Sequence, residues 1–358
     1  MKKSGHGGNL KFYSEKYKIP QSLLIDFSAN INPLGPEKSV FEVISANIQN
    51  IKDYPEPNSG TLLEVAEKLL KIPKSNFIFG NGAAELLFLL VGYLSPKNVY
   101  IPAPSFSEYE TAAKSIGANI NFFNLENDFT SFNSNFLKDL SSGDIVFICN
   151  PNNPTGSYFE KSTLDNLLSE ISKRDAYLFI DESFIDFIEE EKYFSFRKEA
   201  GEKNNLFVLY SLTKIYGIPG LRLGMLFGNH SVISDLYERK DPWNVNTFAQ
   251  KAGEVLLQDT DFIFKSQKYF YEERQRMYES LLNIENIKPY KPSANYIFIE
   301  ITKESTVEDL QDFLIKEKIL IRNCSNYPGL NNKFFRIAIK RKEENDFLIS
   351  KLSNYFSE

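Results

Sequence analysis

The strongest constraint on this chain is a series of seven short β-forming runs, at residues 76–79, 98–101, 119–123, 144–149, 177–180, 206–210 and 224–227. Several are apolar at consecutive positions, as in Ile145-Val146-Phe147-Ile148-Cys149 and Tyr177-Leu178-Phe179-Ile180. A strand with one wet face alternates apolar and polar residues, so a run apolar on both faces must be covered on both. Helical patterns at 83–94, 161–173 and 231–239 separate many of the runs. That alternation builds an α/β domain, a mostly parallel seven-stranded sheet with helices on its two sides. Residues 36–254 are expected to form it. A long helical pattern near 249–282, strands at 295–300, 319–322 and 334–339 and a helix near 307–318 then suggest a smaller α+β domain over 255–358. Residues 1–35 have too little apolar sequence to fold alone, and are expected to pack on that smaller domain as an arm near the active cleft.

Composition removes several function classes. The 41 Lys and Arg against 47 Asp and Glu leave a net charge of −6, so no positive field exists to hold a nucleic acid. Two histidines, His6 and His230, and two cysteines, Cys149 and Cys324, are too few for a zinc site or a disulfide framework. No metal is expected. The longest apolar run, residues 86–94, is nine residues, about half of the roughly 18 that span a bilayer. The basic start is followed by Asn9, Lys11 and Glu15 rather than by an apolar export segment. A cytoplasmic protein, bound to neither membrane nor nucleic acid, is expected.

The chemistry is most visible in Ser211-Leu212-Thr213-Lys214-Ile215-Tyr216-Gly217, followed by Arg222. Here a lysine stands just after a buried run, among two hydroxyls and a guanidinium that could serve as anion donors. A lysine near other cations and partly desolvated favours its neutral form, which suits Schiff-base chemistry. In isolation it would read as an ordinary loop lysine.

This stretch resembles the cofactor-attachment motif of the fold-type I pyridoxal-phosphate enzymes, the aspartate-aminotransferase-like superfamily. The resemblance implies pyridoxal 5'-phosphate as cofactor and Lys214 as its covalent anchor. It also implies further segments in a set order, and they occur: Gly80-Asn81-Gly82-Ala83-Ala84-Glu85, Pro104-Ser105-Phe106, Asn150-Pro151-Asn152-Asn153-Pro154, and Asp181-Glu182-Ser183-Phe184. Gly82, Ala83 and Ala84 open a helix after a strand, where backbone N–H groups and the helix dipole can hold a phosphate. Ser211, Thr213 and Arg222 would complete that anion site. Phe106 could stack on a flat ring, although alone it would read as core. Asn153 could donate to the cofactor's phenolic oxygen, although alone it would read as a turn residue. Asp181 closes an apolar strand, where a carboxylate is costly without a cation, and a protonated pyridine nitrogen would supply one. Tyr54, in Tyr54-Pro55-Glu56-Pro57, resembles the residue that reaches the cofactor phosphate of a neighbouring subunit, which implies a homodimer with shared active sites.

Within the superfamily, two families look closest. The histidinol-phosphate aminotransferases share these motifs. The threonine-phosphate decarboxylases of cobalamin biosynthesis match more, through His6-Gly7-Gly8-Asn9, Asp26-Phe27-Ser28-Ala29-Asn30-Ile31-Asn32-Pro33, Pro242-Trp243-Asn244 and Ile321-Arg322-Asn323-Cys324. Phe184 also stands where many aminotransferase relatives carry a tyrosine. The resemblance implies decarboxylation of an O-phospho-L-amino acid, with threonine phosphate or serine phosphate as substrate. It implies Arg336 for the substrate carboxylate, Arg322 for a second anion, and His6, Asn32, Arg322 and Lys333 as candidate phosphate donors. An arginine on an apolar strand would otherwise read as the partner of a structural carboxylate. A non-catalytic regulator that kept the fold is a third reading, disfavoured because every catalytic position is filled. His230 reads as structural, Cys149 as a small core residue and Cys324 as a residue of the cleft wall.

Overall fold

A computed structural model describes residues 7–188 and 195–357. In chain order the strands are β1 (Ile25–Asp26), β2 (Phe77–Gly80), β3 (Asn98–Ala103), β4 (Asn119–Glu126), β5 (Ser131–Phe132), β6 (Ile145–Cys149), β7 (Tyr177–Asp181), β8 (Leu206–Ser211), β9 (Gly224–Phe227), β10 (Ile287–Pro289), β11 (Tyr296–Ile301), β12 (Ile319–Leu320), β13 (Arg322–Asn323) and β14 (Phe334–Ala338).

The large sheet has the order β2-β9-β8-β7-β6-β3-β4-β5. Its central strands run parallel, while β9 is antiparallel to both its neighbours and β5 antiparallel to β4. The seven runs read from the sequence are its seven longer strands. The two-residue β5 adds an eighth at the edge, too short to show a period in sequence.

Alternation along each strand builds two cores. Leu178 and Ile180 of β7, like Val146 and Ile148 of β6, belong to one apolar cluster. Phe179, Phe147 and Cys149 belong to the cluster on the opposite face, beneath the helix Ala83–Leu94 with Leu86, Leu87, Leu90 and Val91. Each fully buried side chain of this size contributes about 1.5–3 kcal/mol. Two-sided burial is thus what the uninterrupted apolar runs require.

Connections place the site. From β3 the chain steps outward to β4, whereas from β6 it steps the other way to β7 and β8. The reversal opens a crevice at the carboxyl ends of β3 and β6, where such sheets take their ligands. Parallel register sets Cys149 beside Asp181, and Asp181 beside Leu209. Three chemically loaded loops therefore leave the sheet side by side.

The second sheet is antiparallel, ordered β10-β11-β14-β13 and flanked by the helices Thr260–Leu282 and Lys342–Ser357. The start of the chain joins this part of the molecule. Strand β1 pairs parallel with β12, and Phe27 O accepts from Ala338 N at 2.8 Å. Ser28 is thereby carried to the side of Arg336.

Candidate active site

A cavity of about 410 Å³ lies between the carboxyl ends of the large sheet and the antiparallel sheet. Lys214 stands in its wall on the single turn Leu212–Ile215 after β8. The residue is partly buried and lines the cavity. Burial, then the nearby guanidinium groups of Arg336 and Arg222, pull its pKa down to about 8, against an opposing pull from Asp181. A useful fraction is therefore nucleophilic near neutrality.

Gly82 caps the helix Ala83–Leu94 with φ +83°, and no side chain caps that end. A Cβ on Gly82 would lie 2.3 Å from Arg222 Nη2, so glycine is what lets the guanidinium lie over the helix start. Arg222 holds φ +62°, a conformation costing about 1–3 kcal/mol in non-glycine residues. It makes no hydrogen bond or ion pair among the described residues. A positive dipole end and a free guanidinium thus point at one place, and Ala83, Ala84, Ser211 and Thr213 also line the cavity. The hydroxyls of Ser211 and Thr213 lie 2.8 Å apart. This corner is built for a phosphate.

Asp181 ends β7 on the face of Phe179. It is buried, with Oδ1 accepting from Ser183 N at 2.9 Å and Oδ2 from the Tyr109 hydroxyl at 2.6 Å. Burial raises its pKa, against the pull of those donors and of Lys214. Phe106 lines the same cavity, its ring edge-on to Tyr109 with centroids 5.6 Å apart.

The opposite wall carries two arginines. Arg322 and Arg336 are direct cross-strand partners in the β13–β14 pair, and both are buried and line the cavity. Neither has an ion pair with a carboxylate among the described residues. Arg336 Nη2 donates to Ser28 O at 2.9 Å and Nη1 to Asn153 Oδ1, while its buried Nε has no partner among the described residues. Arg322 Nη2 donates to Asn326 Oδ1 at 2.9 Å, and its guanidinium lies 5.1 Å from the Tyr327 ring centroid. Two like charges set opposite each other in a strand pair are destabilising. A ligand with anionic groups would relieve that. Because Arg336 takes the amide oxygen of Asn153, the amide N–H₂ is the end left to donate into the cavity.

Several residues go elsewhere. The amide of Asn32 is buried and fully used, donating to Ile215 O at 2.7 Å and Ser266 Oγ at 2.8 Å and accepting from Leu34 N at 3.0 Å. It braces the turn bearing Lys214 and is not a cavity donor. Lys333 lies outside the cavity lining, and its amine donates to Lys303 O and Ser305 O, both at 2.7 Å. Cys324 is packed with Tyr290, Phe298 and Tyr327 behind the wall instead of lining it. Tyr54 is 82% exposed, away from the cavity and 5.0 Å from Trp243 between ring centroids. His6 falls outside the described residues. The neighbouring Gly7 lines the cavity, and Gly8 N donates to Ser28 Oγ at 2.9 Å.

Cavity residues given no role from sequence include Glu108, Ser183, Tyr327 and Asn30, whose buried Oδ1 has no partner among the described residues, and Tyr109 stands outside the lining, on Asp181. Tyr109 lies in the first turn of the helix Ser107–Ser115, three residues after Phe106, the extended residue that caps it.

A phosphate corner, an aromatic wall, a buried carboxylate suited to a ring N–H and an amine poised for a carbonyl all fit pyridoxal 5'-phosphate. Fold and site together define a fold-type I pyridoxal-phosphate enzyme. The chain belongs to the aminotransferase class I and II family, whose model matches residues 23–352. It is 35% identical to the threonine-phosphate decarboxylase of Salmonella typhimurium over 354 residues, covering 98% of this chain and 96% of the relative. The crystal structure of the histidinol-phosphate aminotransferase from Clostridium acetobutylicum is 32% identical, with TM-score 0.85 over 93% of this chain and 99% of that one. L-Threonine-O-3-phosphate decarboxylase from Porphyromonas gingivalis, 24% identical, has the same fold, with TM-score 0.84 over 93% of this chain and 99% of that one.

Proposed function

We propose that this chain is a cytoplasmic carboxy-lyase that removes CO₂ from an O-phospho-L-amino acid. Its substrate is L-threonine O-3-phosphate, giving (R)-1-amino-2-propanol O-2-phosphate, or L-serine O-phosphate, giving ethanolamine phosphate, for the nucleotide loop of a cobamide. The observation that carries this reading is the facing pair Arg322 and Arg336, buried without carboxylate partners among the described residues. A substrate with both a carboxylate and a phosphate supplies two anions for two cations.

Each residue then has a task. Arg222, Ser211, Thr213 and the N–H groups after Gly82 hold the cofactor phosphate. Phe106 flanks the ring, Asn153 donates to its phenolic oxygen, and Asp181 accepts a hydrogen bond from the ring N–H. When bound, the cofactor supplies a cationic ring that accepts the electron pair left on the substrate's Cα. Arg322 and Arg336 fix the two anionic groups, and so decide which Cα bond stands perpendicular to the ring plane. When that bond is Cα–COO⁻, the carbon–carbon bond breaks, CO₂ leaves without the electron pair, and a proton must reach Cα. The amine of Lys214, once protonated, is the group placed to give it. Residues 1–35 serve as an arm, 36–254 as the cofactor-binding domain and 255–358 as the small domain. Two copies form a homodimer, Tyr54 of each reaching the cofactor phosphate of the other.

Transamination of histidinol phosphate is the second reading, favoured by the 32% identity to the Clostridium acetobutylicum protein. Incubating the protein and pyridoxal 5'-phosphate with threonine, serine and histidinol phosphates in parallel separates the two. CO₂ from threonine or serine phosphate is expected. A keto product formed only with an added amino acceptor would overturn the decarboxylase reading.

A further inference from the structure

We infer that Tyr109 is a positioning residue that keeps Asp181 ionised and aimed at the cofactor's ring nitrogen, an inference that rests on the function proposed above. Its phenol is fully buried, and a hydroxyl in that state needs a partner. The partner is Asp181 Oδ2 at 2.6 Å, a length typical of a charge-assisted O–H···O⁻ bond. The ring has little freedom. It stacks on Phe147 at 5.1 Å and 10°, and meets Phe179 and Phe106 edge-on at 6.3 and 5.6 Å. One side chain thus joins the aromatic wall to the carboxylate beneath it.

The surroundings make this donor matter. Asp181 faces Lys214 from the turn after β8, Tyr109 from the helix Ser107–Ser115, Cys149 from β6 and Tyr296 from β11. Burial pushes the Cys149 thiol far up, so it stays neutral beside the Tyr109 hydroxyl, and its Sγ–H donates to Pro151 O at 3.2 Å. Tyr296, also kept neutral by burial, donates to Asn152 O at 2.8 Å. Lys214 is to be consumed by the cofactor. Ser183, through its hydroxyl and its N–H, and the Tyr109 hydroxyl are then the protein donors left to the carboxylate among the described residues.

Tyr109→Phe deletes the hydroxyl and leaves the ring. In the holoenzyme, the pyridoxal 5'-phosphate dissociation constant, read by absorbance from pH 6 to 9, should rise and kcat fall, each by about tenfold to a hundredfold. KM for threonine phosphate should stay nearly constant. The acid limb of the kcat profile should move to higher pH, because a carboxylate that loses a donor protonates more readily. In an Asp181→Asn background the same change should add nothing. Unchanged kcat and pH profile with only a lower melting temperature would overturn the inference, as would additive losses in the double variant or failure of Tyr109→Phe to fold, since the hydroxyl would then be structural. The proposed function fails separately, if the wild type takes up no cofactor at Lys214 or Asp181→Asn keeps wild-type kcat.

Discussion

The two walls of the cavity handle charge in opposite ways. On the large sheet, Asp181 is held by Tyr109 and Ser183 and offset by Lys214, so its charge is compensated before anything binds. On the small sheet, Arg322 and Arg336 face each other with neutral partners only, among the described residues. One wall is preorganised for a resident group. The other stores unfavourable electrostatics that a transient anion relieves, which ties substrate affinity to charge rather than to shape.

The contrast breaks most sharply at Lys214. Lys214→Ala should lower turnover by about 10³-fold or more, since both the covalent anchor and the proton donor vanish. It should also abolish the cofactor's absorbance shift on binding. Unchanged turnover and colour would remove the large-sheet wall as the cofactor site. At the other wall, Arg322→Met and Arg336→Met should each raise KM for threonine phosphate by about tenfold to a hundredfold. Ligand-free stability should not fall, and could rise by about 1–4 kcal/mol, because an uncompensated buried charge is replaced by apolar atoms. Urea unfolding of the ligand-free variants measures this. A clear loss of stability would mean that the arginines are structural.

A smaller effect links the walls through pH. Lys214 titrates near 8, through burial first and then Arg336 and Arg222. Its neutral form captures the cofactor, so uptake by the ligand-free protein should rise about tenfold per pH unit up to that value and level off above it. Arg336→Met removes one of the cations and should move the break to higher pH. Stopped-flow absorbance follows it, and an unmoved break would uncouple the two walls.

The same division explains what could be read from the residues. Phe106, Asn153, Asp181 and Lys214 each lie at or just past the end of one of four neighbouring strands, and parallel register brings such ends together without further information. Their two-residue periodicity even fixes the face, since Asp181 follows Phe179. Arg322 and Arg336 meet through an antiparallel register that no local pattern displays. Asn32 and Lys333 went astray for a related reason. A polar side chain near a site can point along any of several directions, and tertiary carbonyls decide which. Tyr109 was hidden because a tyrosine on a buried helix face reads as packing until its hydroxyl is seen on Asp181.

Lys333 gives the finest test of where the anion wall ends. It stands one residue before β14, close in sequence to Arg336, yet its amine is spent on the carbonyls of Lys303 and Ser305. Its own carbonyl accepts from Ile301 N at 2.8 Å, so it ties the end of β11 to the turn that enters β14. Lys333→Met should therefore leave KM within about twofold, as substitutions away from a site do, while the two lost charge-assisted bonds lower stability by about 1–3 kcal/mol. That is the reverse of the pattern expected for Arg336→Met, and the same urea and KM measurements on both variants set them side by side. A tenfold rise in KM for Lys333→Met at unchanged stability would show that its amine swings to the substrate, making the wall a cluster of three cations.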